Sequence, residues 1–267
     1  MRRTIRIALG LPWYDGPDKD CFGAFLSFQH YLGRLQERLW WYNRLPTAML
    51  DSAPHPKLDS VAKDDEAEIP EWMHGTDLEF IISDESGISL PGMARERVID
   101  ISLRVGADYI LFYDDDMLFT DKILFQLLRH EKPVVAALAF TAREPIAPVI
   151  YRFRDHQDRG TQITTTVEPI LDYEPDTLQQ VDAIGFGVVL IQASVFRRMP
   201  KPWFNNPGVG EDIQFCIMCK RAGIPIHVDT SAKTIHKPRY HKEWHSEEMY
   251  LRERAADIAK AKQETIH

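Results

Sequence analysis

Three aspartates, Asp114, Asp115 and Asp116, follow the apolar run 109–112 in the segment YILFYDDDMLF. A continuous apolar run of this kind suits a central parallel strand buried on both faces. Open parallel sheets gather their ligands at the carboxyl ends of such strands. Strand alternation would put Asp114 and Asp116 on one side and Asp115 on the other. Two carboxylates that close repel and raise one another's pKa unless a cation neutralises them. Carboxylate oxygens select a hard ion, Mg²⁺ or Mn²⁺, which keeps open positions for substrate phosphates. An acidic turn capping the next helix is the alternative reading, but Asp121 stands better placed to cap KILFQLL.

A second set of reactive types lies far along the chain. Glu211 and Asp212 follow a glycine loop in GVGEDIQFCIMCKRAG and open a helix. Backbone N–H groups and the helix dipole favour charged carboxylates there, so taken alone the pair reads as an N-terminal cap. Gly185, Phe186 and Gly187 interrupt the strand VDAIGFGVVLI, which marks a bulge or a close backbone approach to a ligand. Trp203, in the loop PWFNN, is either ordinary packing or a platform for a ring. His236, in TIHK, stands alone after a strand. Cys216 and Cys219 have metal or redox spacing, yet no second pair exists, and core packing on a helix face is the better reading.

The elements that must position these groups alternate. TIRIALGLP reads as a first strand ending at Pro12, and the segment 22–45 as an amphipathic helix through Phe22, Phe25, Leu32, Leu35 and Leu39. Residues 51–75 read as an acidic, proline-containing loop. LEFIIS is a second strand, and GMARERVIDISLRVG a helix with Met93, Val98, Ile101 and Val105 on one side. The aspartate strand, a short helix over 121–131 and the strand PVVAALAF follow. This strand and helix alternation implies an α/β fold with a mostly parallel central sheet flanked by helices. PVIYRFR and TQITTTVE add a small antiparallel hairpin. The helix from Glu211, the strand IPIHVD, a basic and aromatic tail over 233–245 and a final helix over 246–264 complete the chain.

The 267 residues are 44% hydrophobic, enough for a sizeable core. Formal charge is −8, but residues 51–85 hold eleven acids against Lys57 and Lys63. The remainder is near neutral, so global acidity neither excludes nor supports an anionic partner. Three cysteines make no disulfide framework and, with no apolar run of membrane-spanning length, lead to the expectation of a cytoplasmic protein without a membrane span. The chain is expected to form one domain over 1–245 with a C-terminal helix, 246–267, packed on it or forming a homodimer contact.

Taken in order, the Asp-x-Asp strand end, the Gly-x-Gly strand, the aromatic loop, the Glu-Asp helix and the late histidine resemble the GT-A fold glycosyltransferases, in particular the family 2-like inverting enzymes of bacteria and phages. The resemblance spans roughly residues 4–240. It implies that Asp114, Asp116 and His236 hold Mn²⁺ or Mg²⁺ on the diphosphate of a nucleotide-sugar donor, with UDP-sugar the expected form. It implies that Asp212 is the general base and Glu211 a neighbouring acceptor-side carboxylate. Pro12, Asp84, Arg95 and Asp115 fall where the nucleotide and its diphosphate are held. Gly185, Phe186, Gly187 and Trp203 fall on the acceptor and sugar side. Family members commonly carry Arg-Asn where this chain has Arg95-Glu96, which leaves Arg95 or Arg97 as the phosphate contact.

The chemistry is coherent without the family. A leaving diphosphate gains charge that a cation stabilises, and an acceptor hydroxyl needs a carboxylate to take its proton. The resemblance leaves a soluble glycan and a hydroxymethylated DNA base as acceptor classes. A nucleotidyltransferase making the sugar nucleotide would want a Gly-rich, Arg-containing loop after the first strand, which GLPWYDGPDKD lacks. A non-catalytic nucleotide-sugar-binding module would tolerate loss of Asp212. The tail over 233–245 reads as a lid over the diphosphate ahead of a nucleic-acid strip.

Overall fold

The computed structural model describes residues 3–13, 21, 28–36, 70–86, 90–120, 122–158, 163–204, 210–237 and 244–264. The Asp121 cap, most of the acidic loop, the first loop beyond Trp13 and the centre of the 233–245 tail lie outside them. Strands β1 (Arg3–Trp13), β2 (Thr76–Ser86), β3 (Tyr109–Tyr113), β4 (Met117–Phe119), β5 (Val134–Leu138), β8 (Leu178–Val181), β10 (Val188–Gln192) and β11 (Ile226–His236) form the main sheet. Its order is β2-β1-β3-β10-β5-β11-β4, with β8 on β11. β6 (Ile150–Asp158), β7 (Ile163–Pro169) and β9 (Ala183–Ile184) form a small antiparallel sheet. The helices are α1 (28–36), α2 (Pro91–Arg104), α3 (Ile123–Leu128), α4 (Ala193–Arg197), α5 (Glu211–Arg221) and α6 (Glu247–Glu264).

β1 pairs in parallel with both β2 and β3, and β5 pairs in parallel with β11. β10 is inserted antiparallel between β3 and β5. The result is an α/β fold whose central sheet is mostly parallel. Every residue of β3, β5 and the first four of β10 is buried, as strands covered on both faces must be. Alternate side chains serve two cores. Leu9, Leu111, Tyr113 and Leu190 join Phe28, Leu32 and Leu35 of α1. Ala8, Ile110, Phe112 and Val189 join α2, α5 and the ring cluster of Phe186, Phe204 and Phe215. Gly10 admits this packing: a Cβ there would lie 2.8 Å from Val98 of α2.

Two expectations are corrected by the packing. α2 buries Ala94, Arg95, Val98, Ile99 and Ser102, whereas Met93 and Val105 are exposed. The apolar stripe is thus rotated, and Arg95 belongs to the buried face. The strand expected over 181–191 is also divided among two sheets: Val181 ends β8, Ala183–Ile184 pair with β6, and β10 starts only at Val188. Gly185 and Gly187 stand in the gap. A Cβ on Gly185 would lie 3.0 Å from Val149, and one on Gly187 would lie 3.0 Å from Met117 and 3.2 Å from Ala139. The close approaches in this structure are therefore made by the protein's own side chains.

β11 does more than the expected IPIHVD strand, running on through His236. Its pairing with β5 slips between Asp229 and Lys233, and its end pairs instead with β4, His236 opposite Met117. The buried Asp229 fixes this slip. It accepts hydrogen bonds from the Ser231 N–H at 2.9 Å, the Ser231 hydroxyl at 2.6 Å, His130 Nε2 at 2.7 Å and Arg129 at 3.2 Å. Burial alone would raise its pKa, but these bonds hold it below the ordinary carboxylate value. α6 docks through the buried Tyr250, whose hydroxyl donates to Leu171 O at 2.7 Å. The free cysteines Cys216 and Cys219 are buried in α5, as core packing requires.

Candidate active site

The turn after β3 carries the three aspartates. β3 ends at Tyr113, Asp114 N–H donates to Gly187 O at 2.9 Å, and Met117 N–H donates to Asp114 O at 3.2 Å. Strand alternation therefore does not govern this segment; a turn does, and it sends Asp114 and Asp116 to different partners. Asp114 Oδ1 accepts from Arg95 at 2.8 Å. Asp116 Oδ2 lies 3.1 Å from His236 Nε2. Asp115, between them in the sequence, is half-buried.

Arg95 is the centre of the arrangement. Its guanidinium also donates to Glu211 Oε1 and Asp212 Oδ1, both at 3.0 Å, and sits 4.9 Å from the centroid of the Phe186 ring. Only 3% of its side chain is exposed. Burial alone would lower its pKa, but three carboxylates outweigh burial and raise it, so the cation is permanent. Where a diphosphate contact is expected of Arg95, its donors in this structure face carboxylates, because its position on the buried stripe of α2 points it inward. The two distant sequence words, the aspartate turn and the Glu-Asp helix, are thereby tied to one side chain.

The carboxylates feel this enclosure. Burial raises Asp114 to about 7, with Arg95 opposing and Asp116 and Asp212 adding to the rise. Asp212 is likewise raised by burial and by Glu211, against Arg95 and the Phe186 N–H, which donates to Asp212 Oδ2 at 3.2 Å. The start of α5 supplies no side-chain cap; Gly210 precedes it at φ 83°, a left-handed conformation suited to glycine.

His236 is fixed by its second nitrogen. Nδ1 lies 2.8 Å from Phe140 O, and a carbonyl only accepts, so Nδ1 carries hydrogen. Nε2 then meets a carboxylate, which calls for a second proton. Burial alone would lower the His236 pKa, yet the bond and charge of Asp116 raise it overall. A divalent cation between Nε2 and Asp116 would replace that proton, and the carbonyl-held imidazole is the arrangement a metal-ligating histidine takes. Asp116 and His236 thus fit one half of an oxygen and imidazole cation site. Asp114 is turned to Arg95, and among the described residues no three His, Cys, Asp or Glu side chains form a group able to hold a metal ion.

The remaining expected residues are distributed as follows. Pro12 and Asp84 lie at the carboxyl ends of β1 and β2, Leu11 being in register with Asp84. Gly10 is in register with Phe112, so this edge is the one that carries Asp114. Phe186 and Trp203 are buried, 1% and 3% exposed. Phe186 lies under Arg95, and Trp203 packs on Phe196 with its Nε1–H donated to Met199 O at 3.2 Å. Neither presents a face to solvent, which corrects the reading of Trp203 as an open platform.

Glu96 had signalled only a departure from a family pattern. Its Oε1 accepts the backbone N–H groups of both Trp203 and Phe204, the latter at 2.8 Å. It thereby pins the aromatic loop over α2 and holds Phe204 5.9 Å from the Arg95 guanidinium. No local sequence signal marks this contact, because its partners lie more than a hundred residues apart in the chain. Tyr151, on β6, was also missed; it is half-buried beside Glu211 and Asp212.

No family model and no curated protein matches the chain. Solved structures similar to it include A197 from STIV, at 17% identity over 60% of this chain and 72% of that one, TM-score 0.41. An apo UDP-glucose pyrophosphorylase is similar at 10% identity over 96% and 99% of the two chains, TM-score 0.43. A Drosophila β1,4-galactosyltransferase 7 mutant with manganese, UDP-Gal and xylobiose is similar at 14% identity over 92% and 79%, TM-score 0.39. At these identities and scores the likeness assigns the chain no activity and no residue a role.

Proposed function

We propose that the chain is a metal-dependent inverting glycosyltransferase that moves a sugar from a nucleotide-diphosphate donor, UDP-sugar in the first instance, to an acceptor hydroxyl. One observation carries the reading: Arg95 joins Asp114, at the carboxyl end of a central strand, to Glu211 and Asp212, which start a helix far along the chain. The ordered motifs of the sequence thus meet in space, with the Asp116 and His236 pair beside them.

Asp212 is the general base. Burial lifts its pKa toward the range useful for proton transfer, and the Phe186 N–H and Arg95 hold its carboxylate in place. The acceptor oxygen attacks the anomeric carbon as its proton passes to Asp212. The bond from that carbon to the diphosphate oxygen breaks, and the nucleoside diphosphate leaves. Asp116 and His236, with Asp114 as the third ligand, are the residues that would hold a divalent cation. Such an ion, Mn²⁺ or Mg²⁺, supplies Lewis-acid stabilisation of the leaving diphosphate. Arg95 acts through the carboxylates as a positioning residue. Pro12, Asp84 and Asp115 hold the nucleoside at the strand ends. No described helix is long and apolar enough to cross a membrane.

The test is a panel of nucleotide sugars, with and without Mn²⁺, scored by thermal stabilisation. A shift that requires both donor and metal, and that is lost in His236→Ala, is the expected result. No shift with any nucleotide sugar contradicts the function. Formation of a nucleotide sugar from nucleoside triphosphate and sugar 1-phosphate would reassign the chain to nucleotidyl transfer.

A further inference from the structure

A cavity of about 170 Å³ opens between the small sheet and the start of α5. Its walls include Val149, Tyr151, Ile184 and Ile213, and its charged side is Glu211 with Asp212. Building on the glycosyltransferase reading, we infer that this cavity is the acceptor subsite and that it takes a single uncharged sugar ring.

Size sets the first limit. Pockets for drug-sized ligands begin near ~300 Å³, so the space suits one ring and not an extended chain. Wall chemistry sets the second. Three aliphatic side chains and a tyrosine ring match the C–H face of a pyranose, while carboxylates match its hydroxyls. Asp212 accepts one bond on each oxygen, from Arg95 and from the Phe186 N–H. A carboxylate has about four lone-pair sites, so acceptor capacity remains for a ring hydroxyl at the very group that must deprotonate it.

Charge sets the third limit. The described lining holds two acids and no Lys, Arg or His. Arg95, behind the carboxylates, is 3% exposed and already shared among three of them. An anionic acceptor would meet Glu211 and Asp212 with no cation among the described lining residues to neutralise it. A nucleic-acid strand needs Lys or Arg beside its phosphates, so a glycan is favoured over modified DNA. The aromatic wall is Tyr151 and not Trp203, whose ring and N–H are spent inside the core.

Saturation-transfer NMR without donor tests this separately from turnover. The probes are neutral methyl glycosides (gluco, galacto and manno), glucose 6-phosphate, and a single-stranded oligonucleotide carrying hydroxymethylcytosine. At least one methyl glycoside is expected to give ring-proton signals, and the two anionic probes none. Ile213→Trp, which fills the cavity from α5, should weaken the signal at least tenfold. Val149→Phe fills it from the opposite wall and carries the test if the first variant misfolds; circular dichroism checks both. Silence from every methyl glycoside, signals unchanged in a folded filled variant, or a stronger signal from either anionic probe would overturn the inference. Failure of every nucleotide sugar to bind, with glycoside signals intact, would strike the donor reading alone.

Discussion

Replacing Arg95 by methionine removes a buried cation from between Asp114, Glu211 and Asp212 while keeping a side chain that can fill the space. Breaking a buried ion pair by deleting one partner costs about 3–5 kcal/mol. The three carboxylates each retain close to a third of their exposure, 31%, 33% and 29%. Water can recover part of the loss, which puts the cost near the lower end, ~3 kcal/mol. At roughly 2–4 °C per kcal/mol for chains of this size, the melting temperature should fall by roughly 6–12 °C at pH 8. The deficit should depend on pH in a definite sense. Arg95 lowers Asp114 and Asp212 against burial, so its loss raises both further in the folded state. Folded carboxylates with raised pKa bind protons that the unfolded chain releases, and stability is lost as pH rises through the folded values. The gap between variant and wild type should therefore be widest above the wild-type Asp114 value of about 7 and shrink toward pH 4. Arg95→Lys keeps a charge but not the fork that reaches three partners, and should fall in between. Differential scanning calorimetry from pH 4 to 8 reads all of this. A methionine variant melting within about 2 °C of wild type at pH 8, or a deficit that does not change with pH, would refute the electrostatic account.

Asp212→Asn should lower transfer by at least ~10²-fold, the range of a lost general base, while donor binding by calorimetry changes little; retained turnover would remove the base assignment. Mn²⁺ affinity should rise with pH through about 7, because Asp114 is raised to that value and a metal requires the deprotonated ligand. Titration calorimetry at pH 6 and pH 8 that gave equal affinities would contradict this. Asp229→Asn should cost ~2–4 kcal/mol in urea unfolding at pH 7, since it weakens a buried, multiply bonded carboxylate. Its folded pKa is lowered, so that stability is present above the ordinary carboxylate range and disappears as pH falls through the lowered value; the cost should narrow in acid. Glu96→Gln should loosen the aromatic loop, raising backbone amide exchange at Trp203 and Phe204, where Glu96→Gln with unchanged exchange would show the contact to be incidental.

Local patterns made the sheet and its helices readable. The apolar runs at Tyr109–Tyr113 and Val134–Leu138 are the strands they promised, because burial on both faces leaves no polar alternation to confuse the pattern. The hairpin of β6 and β7 and the starts of α2 and α5 were equally plain. The insertion of β10 between β3 and β5 was not, since pairing partners far apart in sequence leave no local mark. The stripe of α2 was misjudged for a physical reason: Arg95 occupies a core position, and periodicity arguments count charged residues as outward. That error concealed the inward orientation of Arg95, although the residue itself was already among the candidates. Asp114, Asp116, Glu211 and Asp212 were visible as types in the sequence, but the joint attachment of Asp114, Glu211 and Asp212 to Arg95, and of Asp116 to His236, is a tertiary fact. Trp203 was weighed by residue type alone, while its burial follows from Glu96 holding the backbone beside it.

Phosphorus-31 NMR of the wild-type chain incubated with UDP-sugars, Mg²⁺ and the methyl glycosides tests the central claim most directly. The account predicts that the UDP-sugar signals give way to those of UDP, with no change on adding pyrophosphate. Appearance of UTP on addition of pyrophosphate, or donor signals that never change with any sugar, would contradict it.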